Sequence, residues 1–346
     1  MAGTVFDRVF GVLFGRGEPE RIDEDAGLVA ELTELVVDTV EPRVKAHRRY
    51  RQKLEPCVRR TMAYLREIGR TPLDPLLLAR ERWADDPRLR AFFARADDIP
   101  EFLGRSKELR AFFEDPAQLG VQDAFALLAM RREEKTVFAP RFDNGLLMEE
   151  VTQTTVNFAG HRLIGPAATE QETRLEVGRR IVLRLAQVAL GRILEIDRRG
   201  LKQEQEKSYL ATRLRFLKLA KDGAQGIVDD PATIDRQISD MQQKLDQAVR
   251  DTIDVKSTLV TLDGYIAQIQ AVFGHPQEYV TLARGELSLD RMNVKVAEDA
   301  GGTHSRLSLA QLRVGDRLDV VVAFVRCPRV ELAPPRDLLA QAERFL

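Results

Sequence analysis

Histidine is the residue type best suited to acid–base or metal chemistry, and this chain has only four: His47, His161, His275 and His304. No two of them have the short spacing typical of metal ligands on one element. His161 ends the polar stretch Asn157–His161 and is a candidate general base, although a lone histidine more often makes a structural hydrogen bond. The sequence therefore predicts no metal site, no cofactor and no catalytic residue.

Cys57 and Cys327 are the only cysteines, and they lie in differently composed regions. Two cysteines are too few for a disulfide framework, which favours a reducing compartment. Each is expected to be a small buried hydrophobic residue. The chain has no P-loop, dinucleotide fingerprint or nucleophile elbow. An enzyme whose site is assembled from distant residues stays an alternative.

A dense group of cations lies between Pro42 and Arg60, with eight Lys/Arg against the single acid Glu55. Such a block can neutralise phosphates, so nucleic-acid binding is one hypothesis. The alternative is that these cations pair with acidic residues of the same chain, because the segment from Glu18 to Glu41 carries nine acidic residues. The net charge of −1 gives no general reason to expect nucleic acid. The candidate anion contacts are Arg43, Lys45, Arg48, Arg49 and Arg51.

Residues 5–14 are predicted to form a short amphipathic helix, whose docking residues are Phe6, Val9, Phe10 and Leu13. This helix is expected either to pack on the protein itself or to dock on a membrane surface or a partner. No run reaches the roughly 18 apolar residues of a membrane span, and no signal-peptide pattern is present. The expected location is the cytoplasm, with the inner face of the membrane as the alternative.

Helical spacing dominates residues 18–134, which predicts an N-terminal helical bundle. Pro42 and Pro56 are expected to divide or kink its first helices. The motif Leu-Arg-Ala-Phe-Phe occurs twice, at 89–93 and at 109–113, and a further helix is predicted at Val121–Arg132.

Strand-like alternation appears in two places. Residues 135–166 are rich in Thr, Val and Phe around Asn144-Gly145, which predicts a small β ribbon with a tight turn. Residues 276–346 alternate over four or five short segments, including Met292–Val296, and then return to helical spacing after Pro334-Pro335. This region is predicted to form a small antiparallel barrel or open sheet with a terminal helix.

Residues 167–275 carry the longest regular pattern, which predicts a helical hairpin. Thr169 to Glu172 fits a capping box, and Asp230-Pro231 suits the start of a second helix after a Gly-rich turn. Steps of three and four residues predict a coiled-coil seam. On the second helix the seam comprises Ile234, Ile238, Met241, Leu245, Ala248, Thr252, Val255, Leu259, Leu262, Ile266, Ile269 and Phe273.

The seam of the first helix includes Ala186, Ile193 and Leu214 but weakens over Gly200–Lys207, where a bend or a frayed stretch is expected. A turn centred near Gly226 would place Gly200 opposite Thr252. The predicted fold is therefore mainly α with a smaller β part (α+β): an N-terminal helical bundle, a long antiparallel hairpin and a small C-terminal β unit. Residues 1–17 would be a separate short helix.

The functional hypotheses follow from this architecture. The first is a cytoplasmic protein-interaction or scaffold protein that uses the hairpin to hold a protein partner. The alternatives are peripheral membrane association through residues 5–14, nucleic-acid binding by the 42–60 block, and an unrecognised enzyme. Self-association of the coiled coil into a homo-oligomer is a further structural alternative.

Overall fold

The computed structural model describes residues 22–70, 74–143, 146–223, 231–296, 304–316 and 318–333. Within these ranges the chain is mainly helical with a smaller, largely antiparallel sheet, which confirms the predicted α+β class. The helices are α1 (Ile22–Val40), α2 (Tyr50–Gly69), α3 (Pro87–Phe92), α4 (Asp98–Arg105), α5 (Lys107–Glu114), α6 (Glu170–Gly223), α7 (Pro231–Leu259), α8 (Leu262–Phe273) and α9 (Pro276–Tyr279). The strands are β1 (Leu76–Leu77), β2 (Asp123–Asp143), β3 (Leu146–Ala167), β4 (Val280–Leu289), β5 (Ser305–Val314) and β6 (Leu318–Pro328).

Two compact units make up the chain, and each consists of segments that are far apart in sequence. Among the described residues, the first unit contains those in the ranges 22–28, 62–182 and 276–333, and the second contains those in the ranges 29–61 and 183–275. This division differs from the five consecutive segments predicted from the sequence. The physical reason is strand pairing over long sequence separations, which joins the predicted β ribbon and the C-terminal β unit in one sheet.

The sheet of the first unit has the strand order β3-β2-β6-β5-β4, and β1 adds a short parallel pair to β6. A segment after β4 bridges the two outer strands of this order. The backbone N–H of Lys295 donates to the Thr154 carbonyl of β3 at 2.8 Å, and that of Val296 donates to the Ser288 carbonyl of β4 at 3.0 Å. The sheet therefore curls on itself.

The helix predicted at Val121–Arg132 is wrong, because β2 begins at Asp123. The apolar residues there fit helical spacing and strand alternation equally well, and pairing with β6 decides between them. β2 and β3 are also much longer than the predicted ribbon. Asp143 pairs with Leu146, and Asn144 and Gly145 lie outside the described residues. The alternate residues Ala124, Ala126, Leu128 and Met130 of β2 are buried in the core.

The core of the first unit lies between one face of the sheet and the short helices α3, α4 and α5. Both copies of the repeated motif contribute to it, on α3 and on α5. Their buried residues are Leu89, Phe92, Phe93, Leu109 and Phe113, which pack with Ile99 and Leu103 of α4.

In the second unit, α8 packs against the 3₁₀ turn Pro42–Ala46 and the adjoining part of α2. Thr61 donates its hydroxyl to the Phe273 carbonyl at 2.7 Å, and Gln270 donates its amide to the Lys53 carbonyl at 2.8 Å. Pro42 starts the turn that follows α1, as its missing N–H favours. Pro56 lies inside α2, which continues past it.

The predicted single second helix of the hairpin is interrupted at residues 260 and 261. α7 ends at Leu259, Thr261 is extended, and α8 begins at Leu262. At this break the Thr258 carbonyl lies against Gly264: a Cβ there would lie 1.8 Å from the Thr258 oxygen. Only glycine fits at this position. The predicted seam residues Leu262, Ile266 and Ile269 therefore belong to α8 and not to α7.

We expect Gly264→Ala to lower the free energy of unfolding by about 3 kcal/mol, because the new methyl group forces the Thr258 carbonyl away. Thermal and urea unfolding of the full chain would measure this. Gly27→Ala in α1 is the matched control, since a Cβ at Gly27 meets nothing within 4 Å and should stabilise its helix by roughly 0.5–1 kcal/mol. Equal changes in the free energy of unfolding for the two substitutions would contradict the close approach of the Thr258 carbonyl to Gly264.

Candidate interaction surface on the helical hairpin

α6 and α7 are antiparallel neighbours. A Cβ on Gly200 would lie 3.6 Å from Cγ1 of Val255, and Lys256 Nζ lies 2.6 Å from Glu204 Oε2. Gly200 thus faces Val255 and not Thr252, a shift of less than one helical turn. The midpoint between Gly223, where α6 ends, and Pro231, where α7 begins, is residue 227, one later than the predicted centre at Gly226, which accounts for part of this shift.

The side chains between α6 and α7 follow the steps of three and four residues. On α7 they are buried or half-buried at Ile238, Met241, Leu245, Ala248, Thr252, Val255 and Leu259. Ile266 and Ile269 are buried on α8, where Leu262 is half-buried, and the side chain of Ile234 lies outside the described residues. The supercoiling of the two helices remains a prediction.

The fraying predicted near Gly200 is wrong, because α6 is helical without interruption from Glu170 to Gly223. Because Gly200 has no side chain, Val255 of α7 packs close to the α6 backbone at this position. This interior is thin: between residues 194 and 258, the fully buried described residues are Gly200, Leu214, Met241 and Thr252. Gln203 has a buried Oε1 atom with no hydrogen-bond partner among the described residues, which costs free energy.

We expect Gln203→Leu to raise the free energy of unfolding by about 1–2 kcal/mol, because it replaces an unsatisfied buried amide oxygen with an apolar side chain. Urea unfolding followed by helical circular dichroism is the measurement. Gln243→Leu on an exposed position of α7 is the control and should stay within about 0.5 kcal/mol of the parent. A loss of stability in Gln203→Leu would show that this amide is satisfied in solution.

The second feature of the hairpin is an exposed apolar stripe on the side of α6 that faces away from α7. We call it the outer face. It consists of Leu194, Leu201, Tyr209, Phe216 and Leu219, which are 57% to 69% exposed. At about 3.6 residues per turn these five residues lie within about 40° of the line opposite the seam. Arg198, Gln205 and Thr212 lie on the same line between them, so large apolar and polar side chains alternate along the outer face. Single apolar residues are normal on surfaces, and it is the regular recurrence of these five that makes the outer face a candidate interaction surface.

Charged side chains link the two helices across one side of the hairpin. Glu204 accepts hydrogen bonds from Lys207 of its own helix and from Lys256 of α7, and together they lower its pKa to about 2. Because the folded pKa lies below the ordinary value of 4.5, the stabilisation is complete above about pH 4.5 and disappears as the pH falls towards 2.

Glu204→Gln is therefore expected to weaken the acid dependence of helix content between about pH 4.5 and pH 2. Circular dichroism over a pH series at low and high salt measures it. The difference from the parent protein should shrink at high salt, because the pair is exposed and screened. Identical pH profiles for the two proteins would exclude a contribution from this link.

The basic block at 42–60 contacts acidic residues of the same unit at several points. Lys45 pairs with Glu34 and Asp38, Arg51 pairs with Glu34, and Arg43 pairs with Glu41. Burial alone would raise the pKa of Glu34, but hydrogen bonds from Tyr50, Lys45 and Arg51 outweigh it and keep this pKa below its ordinary value. Arg48 and Arg49 are exposed. These contacts are the internal pairing that the acidic segment suggested.

His161 lies in an open cleft of about 920 Å³ between β3 and the short helices of the first unit. Its Nε2 atom is 2.9 Å from the Phe92 carbonyl oxygen and therefore donates to it, and its ring stacks on Phe93. Burial lowers the pKa of His161, so the neutral ring is favoured. Ser106, in the same cleft, caps α5 by accepting from the Leu109 N–H. Both polar groups make structural hydrogen bonds.

Neither cysteine is disulfide-bonded. Burial raises the pKa of Cys57 to about 11, and its thiol donates to the Leu54 carbonyl. Cys327 is buried in the core beside β2, and burial raises its pKa also. Among the described residues, no group of three or more His, Cys, Asp or Glu side chains is placed to hold a metal ion.

The proposed docking residues Phe6, Val9, Phe10 and Leu13 lie outside the described residues. Of the helices that the structure describes, none is long and apolar enough to span a membrane.

Comparison with known proteins gives no assignment. No protein-family model matches the chain, and neither does any curated protein or solved structure. The outer face was missed in the sequence pattern because its residues lie off the seam. The recurrence of Leu, Leu, Tyr and Phe at 194, 201, 209 and 216, in steps of seven or eight residues, is the sequence signal that corresponds to it.

Proposed function

We propose that this chain is a cytoplasmic protein-interaction or scaffold protein whose helical hairpin binds another protein through the outer face. One observation carries the proposal: five large apolar side chains of α6 are aligned on the surface opposite the seam. A helix that buries one face against its neighbour normally carries polar residues on the other. α6 carries large apolar residues on both, and on the outer face they alternate with Arg198, Gln205 and Thr212.

Two further observations support this reading. The interior between α6 and α7 is thin, so covering the outer face would add buried apolar area that the hairpin alone does not have. Both cysteines are unpaired and have raised pKa values, which suits a reducing compartment.

A photo-activated cross-linking residue tests the proposal in cells. We would place p-benzoylphenylalanine at Gln205, which lies in the middle of the outer face, and at Gln243 on the exposed side of α7 as the control. We expect a protein adduct from position 205 and much less from position 243.

The double variant Leu201→Glu/Phe216→Glu should abolish the adduct at position 205, because two charges in the contact oppose its desolvation. Helix content should be unchanged, since both residues are exposed. Equal adducts from the two positions, or an adduct that survives the double variant, would contradict binding through this face.

A further inference from the structure

The spacing of the outer face is the same in both directions along α6. From Leu194, exposed apolar residues follow at Leu201, Tyr209 and Phe216, in steps of seven, eight and seven residues. In an antiparallel pair of α6 helices with a two-fold axis beside Gln205, Leu194 lies opposite Phe216 of the second copy, and Leu201 lies opposite its Tyr209. The same surface is therefore complementary to itself, as a two-fold interface requires.

Leu219, the fifth residue of the outer face, also has a counterpart in this arrangement. It lies opposite Gly191 of the second copy. A Cβ at Gly191 would meet nothing within 4 Å, so the backbone there is open to a large side chain. Each end of the interface thus pairs a projecting leucine with a glycine.

Charges on the two flanks of the outer face are complementary under the same symmetry. Glu195 and Arg213 lie on one flank, and Asp197 and Arg215 lie on the other, each about 80° from the centre of the stripe at 3.6 residues per turn. In an antiparallel pair each flank faces the same flank of the other copy. Glu195, which also pairs with Arg198 and Arg199 of its own helix, then faces Arg213, and Asp197 faces Arg215. Such charged pairs are the role of the flanking positions in coiled coils.

We infer that the partner of the outer face is a second copy of this chain, in an antiparallel dimer with its two-fold axis at Gln205. The inference rests on the proposed function, because it names the occupant of the same surface. Two hairpins would then form a four-helix arrangement with the two α6 helices in contact.

The area available lies at the lower end of the range for specific dimers. Five side chains of this size, roughly 60% exposed, present on the order of 600 Å² of apolar surface in each copy. With the flanking charged residues, this approaches the roughly 800 Å² per partner of a specific interface.

Sedimentation equilibrium of the purified full chain over a wide concentration series tests the inference. The parent protein should reach twice the chain mass. Leu201→Glu/Phe216→Glu should raise the dissociation constant at least about 100-fold, whereas the exposed control Gln243→Glu should leave it unchanged. A parent protein that stays monomeric at every concentration, or a dimer that is insensitive to the double variant, would overturn the inference.

A charge exchange tests the antiparallel register. Arg215→Glu places two acids opposite each other and should weaken the dimer about tenfold. Adding Asp197→Arg restores opposite charges and should return the dissociation constant to within about threefold of the parent value. Failure of the second change to restore the dimer would overturn this register.

The cross-link at Gln205 separates this inference from the proposed function. An adduct with twice the mass of the chain supports the dimer. An adduct of another mass that disappears in the double variant overturns the dimer and leaves the proposed function standing. Absence of any adduct at position 205, together with a monomeric parent protein, overturns both.

Discussion

Two helices that pack only on each other can bury only one face of each helix. This limits the apolar area that the hairpin of α6 and α7 can bury. Its interior narrows to single residues such as Leu214 and Met241, and it includes a glycine and an unsatisfied amide oxygen at Gln203. Two other features hold this hairpin together although its core is small. An ion pair joins Glu204 of α6 to Lys256 of α7, and α6 is a continuous helix of 54 residues. Stabilisation of a helix comes mainly from packing on an apolar face, and the exposed apolar residues of the outer face of α6 are not packed in this way by α7.

In contrast to the hairpin, the sheet depends on contacts between segments that are far apart in the sequence. β6 pairs with β2 and β5, and also with β1, so strands from three separated parts of the chain meet at one strand. The helices that cover this sheet come from the segment between β1 and β2 and pack through the two copies of one short motif. The residues of this core extend from Leu76 to Cys327, so its two ends are about 250 residues apart in the sequence.

The features that the sequence predicted are those set by local periodicity. The hairpin, its two long helices and the alternation at 318–325 follow from side-chain spacing within one element. The errors arose where the local secondary structure depends on contacts with other parts of the chain. The apolar spacing of Val121–Arg132 is compatible with a helix, but pairing with β6 makes most of this segment a strand. The interruption after Leu259 involves the close contact between the Thr258 carbonyl and Gly264. The outer face was visible as residues but not as a surface, because exposure is a property of the assembled unit.

The segment after β4 also bears on how this protein behaves at high concentration. Asp290 accepts hydrogen bonds from the N–H groups of Met292 and Val294, and Asn293 adopts a positive φ of 58°, so a tight turn presents residues 293–295 to β3. Unpaired strand edges are templates for pairing between molecules. Here the outer strands β3 and β4 are both engaged, over part of their length, by one short piece of their own chain. These contacts occupy part of the two sheet edges that could otherwise pair with the edge strand of another molecule.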